Sequence, residues 1–135
     1  MPSGTTLFSP TRVLLVDDSE AMLARAAAAL AEECEIVGAL TDGLAALAAA
    51  KSLQPDVVVL DISMPGTSGF QIASRLSKAG VTAAIVFLTV HDGEEFVLTA
   101  KLSSAIGYVV KTRLVSDLPV AVREARAGRS FVSAF

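Results

Sequence analysis

The chain has one cysteine and one histidine, no long apolar run and no surplus of positive charge. Cys34 alone cannot form an internal disulfide, which fits a reducing compartment, and it reads as a small half-buried residue rather than a reactive thiol. Mean hydropathy is high, +0.60, yet no apolar stretch approaches the ~18 residues of a membrane span. Arg25, Glu32 and Lys51 interrupt the longest alanine-rich stretches, which read as helices packed on a sheet. A net charge of −3 leaves no electrostatic footprint for nucleic acid. Residues 1–10 are polar, carry two prolines and lack an apolar core. They read as a loose tail, not a secretory signal. No G-x-G-x-x-G follows the first apolar run, which argues against a dinucleotide-binding enzyme. These absences point to a cytoplasmic protein with no membrane contact and no direct contact with nucleic acid.

What is present is a single domain's worth of chain, 135 residues with 53% hydrophobic and 19% charged side chains, so a disordered chain is excluded. Short β-branched runs alternate with Ala/Leu-rich helical patterns. Arg12–Val16 reads as a first strand buried on both faces. Ser19 is placed to cap a helix with the stripe Met22, Leu23, Ala26, Ala27 and Leu30. Residues 35–38 form a short second strand. Asp42 caps a second helix carrying Leu44, Leu47 and Ala48, which stops near Leu53 before Pro55. Residues 57–60 are the clearest central strand. Ser68 starts a third helix, with Phe70, Ile72, Ala73 and Leu76 inward, that Gly80 ends. Residues 84–88 are the fourth strand, about 93–102 a weaker fourth helix, and 106–110 the fifth strand. A last helix spans about 116–127, with Pro119 in its first turn, where backbone N–H groups lack partners anyway. Five such units imply an open, doubly wound α/β fold with a parallel sheet. The expected limits are a flexible tail over 1–10, one domain over 11–130, and a C-terminal tail or linker start over 131–135.

In such sheets ligands bind beyond the carboxyl ends of the strands. Asp17 and Asp18 follow the first strand, Asp61 the third and Lys111 the fifth, and Thr89 ends the fourth. Each residue alone has a plain structural reading, as a cap, a turn or a solvated charge. Together they bring three carboxylates, a hydroxyl and an amine to one edge. Three neighbouring anions repel by several kcal/mol at intermediate dielectric, so the group needs a cation. Carboxylate and carbonyl oxygens suit Mg²⁺. Lys111 and Thr89 then match the oxygens of a transferring phosphoryl group, and a carboxylate can act as nucleophile.

The segments Val13-Leu14-Leu15-Val16-Asp17-Asp18-Ser19, residues 55–66 (PDVVVLDISMPG), Phe87-Leu88-Thr89 and Gly107-Tyr108-Val109-Val110-Lys111 resemble the response-regulator receiver domain. The resemblance runs from Arg12 to about Gly128. Leu88-Thr89-Val90-His91-Asp92 and Ala127-Gly128-Arg129-Ser130-Phe131 look most like the NarL/FixJ subgroup. The resemblance implies a CheY-like (flavodoxin-like) sheet of five parallel strands in the order 2-1-3-4-5, with five helices. It implies Asp61 as phosphoacceptor, with Mg²⁺ held by Asp17, Asp18, Asp61 and the backbone carbonyl of Ser63. Thr89 and Lys111 would hold the phosphoryl oxygens, and Tyr108 would be the switch aromatic that responds to Thr89. Beside that role stands the plainer reading of Tyr108 as an ordinary edge-strand aromatic.

The implied partner is a sensor histidine kinase or phosphotransfer protein, with homodimerisation on phosphorylation. Ser63, Val90 and His91 flank the phosphate entrance and are expected to tune dephosphorylation, with His91 a solvated loop residue rather than a general base. The reading is a phosphoacceptor switch rather than an enzyme. An Asp-nucleophile phosphatase would need an acid where Ser63 stands. The alternatives are a phosphorylation-independent binding module, or the receiver part of a DNA-binding regulator whose output domain is absent here; a stand-alone receiver is favoured over the latter. Two positions depart from the usual receiver pattern. Thr112 replaces the proline that often follows the lysine, so a trans bond is expected there. Ser104 stands where relatives place glycine.

Overall fold

The computed structural model describes residues 9–90 and 105–133. Strand β1 (Thr11–Val16) leads into helix α1 (Glu20–Leu30), then β2 (Cys34–Leu40), a 3₁₀ turn (Gly43–Ala45) and α2 (Ala46–Leu53). Next come β3 (Val57–Asp61), a small ribbon of β4 (Ser63–Met64) and β5 (Thr67–Ser68), and α3 (Gly69–Lys78). Then follow β6 (Ala84–Thr89), β7 (Gly107–Val110), a 3₁₀ turn (Lys111–Arg113), α4 (Leu114–Arg126) and β8 (Phe131–Val132). The main sheet runs β2-β1-β3-β6-β7-β8 with every pairing parallel. The expected five-strand order is therefore present, with β6 and β7 as its fourth and fifth members and β8 added at the edge. The described residues hold four α-helices. The helix expected over about 93–102 and the Ser104 turn lie outside them, as does His91.

Alternation along the strands builds two cores. Val13, Leu15, Val57, Val59, Val86, Leu88 and Val109 face α1 and α4. Leu14, Val16, Val58, Leu60, Ile85, Phe87, Tyr108 and Val110 face α2 and α3. Apolar residues on both faces of the central strands are what a sheet covered on both sides requires. Ser19 caps α1 as read from sequence, Asp42 caps the 3₁₀ turn rather than α2, which has no side-chain cap, and Ser68, read as the start of the third helix, also caps it. Ser19 Oγ accepts from Met22 N–H at 3.2 Å, Asp42 Oδ1 from Leu44 N–H at 2.9 Å, and Ser68 forms a capping box with Gln71. Burial pushes the Cys34 thiol above its ordinary value, with the Glu33 carboxylate adding to the effect, consistent with a structural side chain.

Several expectations need correction. The second strand is seven residues long rather than four. Leu44 lies in the 3₁₀ turn and is exposed, while Ala46 and Ala50 carry the buried face of α2. The last helix starts at Leu114, so Pro119 sits in its second turn and deprives the Val115 carbonyl of its helical donor. Phe131 and Val132, read as tail or linker, pair with Gly107 and Tyr108. Tyr108 is accordingly not on an edge strand and is 2% exposed. Ser9, within the expected loose segment, accepts a 2.7 Å hydrogen bond from Arg126 Nη1. The Lys111–Thr112 bond is trans, as expected.

The turn after β3 depends on close approach. Pro65 and Gly66, with φ 83° at Gly66, close the β4–β5 ribbon, and the Gly69 N–H donates to the Ile62 carbonyl at 2.7 Å. A Cβ at Gly69 would run into the Asp61 carbonyl oxygen and lie 2.8 Å from Ile62 Cα. Backbone cannot yield as a flexible side chain does. Gly69→Ala is expected to lower unfolding free energy by about 1–3 kcal/mol, measured by urea denaturation. A loss below about 0.5 kcal/mol, the range of an ordinary surface change, would show that the turn relaxes freely.

Candidate functional site

The site forms where β1, β3 and β7 end. Alternation puts Asp17 in line with Val13 and Leu15, Asp61 with Val57 and Val59, and Lys111 with Val109, so all three side chains leave the sheet on the α1–α4 side. Register makes them level: Val16 pairs with Leu60, so Asp17 stands beside Asp61. Lys111 Nζ lies 3.0 Å from Asp17 Oδ2 and 3.3 Å from Asp61 Oδ2. Asp18 is exposed, and one oxygen from each of Asp17, Asp18 and Asp61 falls within 4.8 Å of the others. Both Asp17 and Asp61 are 2% exposed.

Backbone N–H groups hold the carboxylates. The Ser19 N–H donates to Asp17 Oδ1 at 2.9 Å, and the Ser63 N–H to Asp61 Oδ1 at 3.1 Å. Asp17 Oδ2 is buried without a well-directed hydrogen bond; the Lys111 ammonium is close enough to pair with it but approaches obliquely. Thr89 is fully buried at the end of β6, in register with Val110, the residue before Lys111. Ser63 and Val90 are exposed at the rim. The predicted residues Asp17, Asp18, Asp61 and Lys111 are thus brought into one cluster, with Thr89 at the adjoining strand end. Tyr108 lies in the core on the α2–α3 side. Sequence reasoning did not anticipate the two backbone N–H donors or the contact of Gly69 with the Asp61 backbone. The Pro65-Gly66 pair was the available signal for the turn that makes that contact.

Three carboxylates face one ammonium. At separations near 4.8 Å each carboxylate pair costs about 3–4 kcal/mol at an effective dielectric of ~20. Asp61 shows the strain: burial first, and then the Asp17 charge, push its pKa up to about 6, against the opposing pull of Lys111 and the Ser63 N–H. Burial works against the Lys111 ammonium, but its close pairing with Asp17 and the charges of Asp61 and Asp17 outweigh that and hold its pKa above the ordinary value. An all-oxygen donor set with surplus negative charge and an under-bonded buried Asp17 oxygen fits a hard divalent cation such as Mg²⁺.

The raised Asp61 value has a direct consequence for stability. The folded state holds this proton up to about pH 6, whereas the unfolded chain releases it near the usual carboxylate value. Stability is therefore fully present below the unfolded pKa and is lost as pH rises through about 6. In chelator, Asp61→Asn should stabilise the chain by about 1–3 kcal/mol at pH 7.5, and the gain should vanish near pH 4. Thermal melts at both pH values check this; an Asn variant less stable at pH 7.5 would show that the Lys111 pair outweighs the repulsion.

A family model described as the response regulator receiver domain matches residues 13–123. The chain is 40% identical over 116 residues to the positive alginate biosynthesis regulatory protein of Pseudomonas aeruginosa, covering 84% of this chain and 46% of that protein. It is 32% identical over 126 residues to the nitrate/nitrite response regulator protein NarL of Escherichia coli, covering 92% and 58%. The signal receiver domain of NarL from Mycobacterium tuberculosis superposes with a TM-score of 0.85 at 29% identity, covering 90% of this chain and all of that one. The chain spans about half the length of the curated relatives it matches. With sequence, fold and strand-end chemistry in agreement, the chain belongs to the response regulator receiver domain family, in its NarL/FixJ subgroup.

Proposed function

We propose that Asp61 is the phosphoacceptor of this receiver and takes its phosphoryl group from the phosphohistidine of a sensor histidine kinase or phosphotransfer protein. The observation that carries this reading is the Lys111 ammonium lodged against both Asp17 and Asp61 within a cluster of three carboxylates. The Asp61 carboxylate attacks phosphorus in line. A P–O bond forms, the P–N bond breaks, and the imidazole leaves with the electron pair and takes a proton from solvent. Lys111 and Thr89 donate to the phosphoryl oxygens as charge moves onto them. The backbone N–H of Ser63 keeps Asp61 oriented. Asp17, Asp18, Asp61 and the Ser63 carbonyl would hold Mg²⁺, which when bound offsets the charge of the carboxylates and of the phosphoryl group.

The phosphorylated state gains hydrogen bonds from Thr89 and Lys111 that the free state lacks, and this difference biases a two-state equilibrium. Tyr108, which packs beside Phe87 on the strand next to Thr89, is the proposed reporter of that change. Ser63, Val90 and His91 tune phosphoryl lifetime from the rim. The setting is the reducing cytoplasm, and phosphorylation favours a homodimer. A second reading, the receiver part of a longer transcriptional regulator, draws support from the chain's spanning about half of its curated relatives.

Incubation with acetyl phosphate and Mg²⁺, followed by intact mass, tests the assignment. The wild type should gain one phosphoryl group, Asp61→Asn none, and Lys111→Ala should react about 10²-fold more slowly. At limiting Mg²⁺ the wild-type rate should fall as pH drops through about 6, where the nucleophile protonates. No gain from acetyl phosphate or from phosphohistidine donors, with no saturable response to Mg²⁺, would make the chain a phosphorylation-independent binding module.

A further inference from the structure

Beyond β7 the sheet continues for only two residues, and its next rung is made by a side chain. The Phe131 N–H donates to the Ile106 carbonyl at 3.0 Å and the Ser133 N–H to the Tyr108 carbonyl at 2.9 Å. The following outward donor of β7, the Val110 N–H, donates to a side chain, Ser133 Oγ, at 3.1 Å. The Ser133 hydroxyl in turn donates to Asp117 Oδ2 at 2.7 Å. Asp117 also accepts from Arg113 Nε at 2.9 Å and from Ser116 Oγ at 3.1 Å. Both Ser133 and Asp117 are buried. Burial works against the Asp117 charge, but the bonds from Arg113, Ser133 and Ser116 outweigh it and lower its pKa.

These bonds close a ring around one short segment. The 3₁₀ turn Lys111–Arg113 is gripped on one side at Val110 by Ser133 and on the other at Arg113 by Asp117, and Ser133 and Asp117 are joined to each other. A lysine side chain is long and has several rotatable bonds. Where its ammonium sits depends on how firmly the backbone beneath it is held. We propose that Ser133, braced by Asp117, is a positioning residue that holds the Lys111 backbone so that the ammonium reaches Asp17 and Asp61, and that the C-terminal segment is thereby coupled to the phosphoryl site. The inference rests on the role given to Lys111 above. Coupling of this kind is reciprocal: a change in how Lys111 is held at the site alters how tightly residues 131–133 are clasped.

The test compares Ser133→Ala and Ser133→Thr, each alone and with Lys111→Ala. The readouts are amide exchange at Val110 and the rate of labelling by acetyl phosphate with Mg²⁺. Ser133→Ala should release Val110 protection and slow labelling about three- to ten-fold, a modest misplacement effect. Ser133→Thr, which keeps the hydroxyl, should restore most of both. In the Lys111→Ala background the alanine change should slow labelling no further, because the group it positions is gone. Should Ser133→Ala not fold, Asp117→Asn weakens the same ring and should slow labelling in the same Lys111-dependent way. Slowing of equal size in both backgrounds would reduce Ser133 to a structural role and overturn the proposal. So would a rate within two-fold of wild type. Absence of any wild-type labelling would overturn the receiver reading itself, and the proposal with it.

Discussion

The Lys111 ammonium is the contact on which the upper edge of this sheet depends. It reaches Asp17 at the end of β1 and Asp61 at the end of β3, tying together strands that would otherwise present like charges to each other. Its compensation is incomplete, since a third carboxylate, Asp18, shares the space. The pocket thus holds surplus negative charge, and the raised pKa of Asp61 reflects first its burial and then the neighbouring Asp17 carboxylate. A fold selected only for stability would fill these positions with apolar or neutral side chains. Keeping the surplus negative charge makes sense where a cation and a charge-bearing substrate arrive together and replace an unfavourable arrangement with a neutralised one.

The apolar sheet supplies the means to hold that arrangement. Val13, Leu15, Val57, Val59 and Val109 are almost wholly buried, and each leads by strand alternation to a charged residue one step past the core. A one-residue slip in β1 or β3 would exchange the faces of the sheet and send Asp17 or Asp61 into the other core. The hydrophobic pattern therefore fixes where the charges point. The β4–β5 ribbon and the glycine at the start of α3 secure Asp61 from the other side, through the Ser63 N–H and the close approach at Gly69.

Much of this was legible from the chain alone. Runs such as Val57–Leu60 mark buried central strands, and the acidic and basic residues immediately after them mark the edge where chemistry collects. The cap at Ser19 and the helix start at Ser68 were equally plain, because a side-chain oxygen before an apolar helix commonly accepts from its first turn, whereas Asp42 caps the 3₁₀ turn ahead of α2. What escaped were contacts made by too few residues to carry a period. Two residues at Phe131–Val132 cannot show alternation, and their strand exists only because β7 offers an unpaired edge. The start of α4 escaped because Pro119 suggests a first turn, whereas no side chain caps the actual beginning at Leu114. The exposure of Leu44 reflects a 3₁₀ turn that rotates it off the helical stripe.

Asp17, Asp61, Thr89 and Lys111 all stand at or just beyond the ends of strands, and among the described residues no α-helix contributes a side chain to the carboxylate–lysine cluster. The outward faces of the described α-helices thus supply nothing to that cluster. For an engineer this separates two design problems: the outer surfaces of the described α-helices can be rewritten without exchanging a side chain of the carboxylate–lysine cluster, and the cluster without rewriting those surfaces.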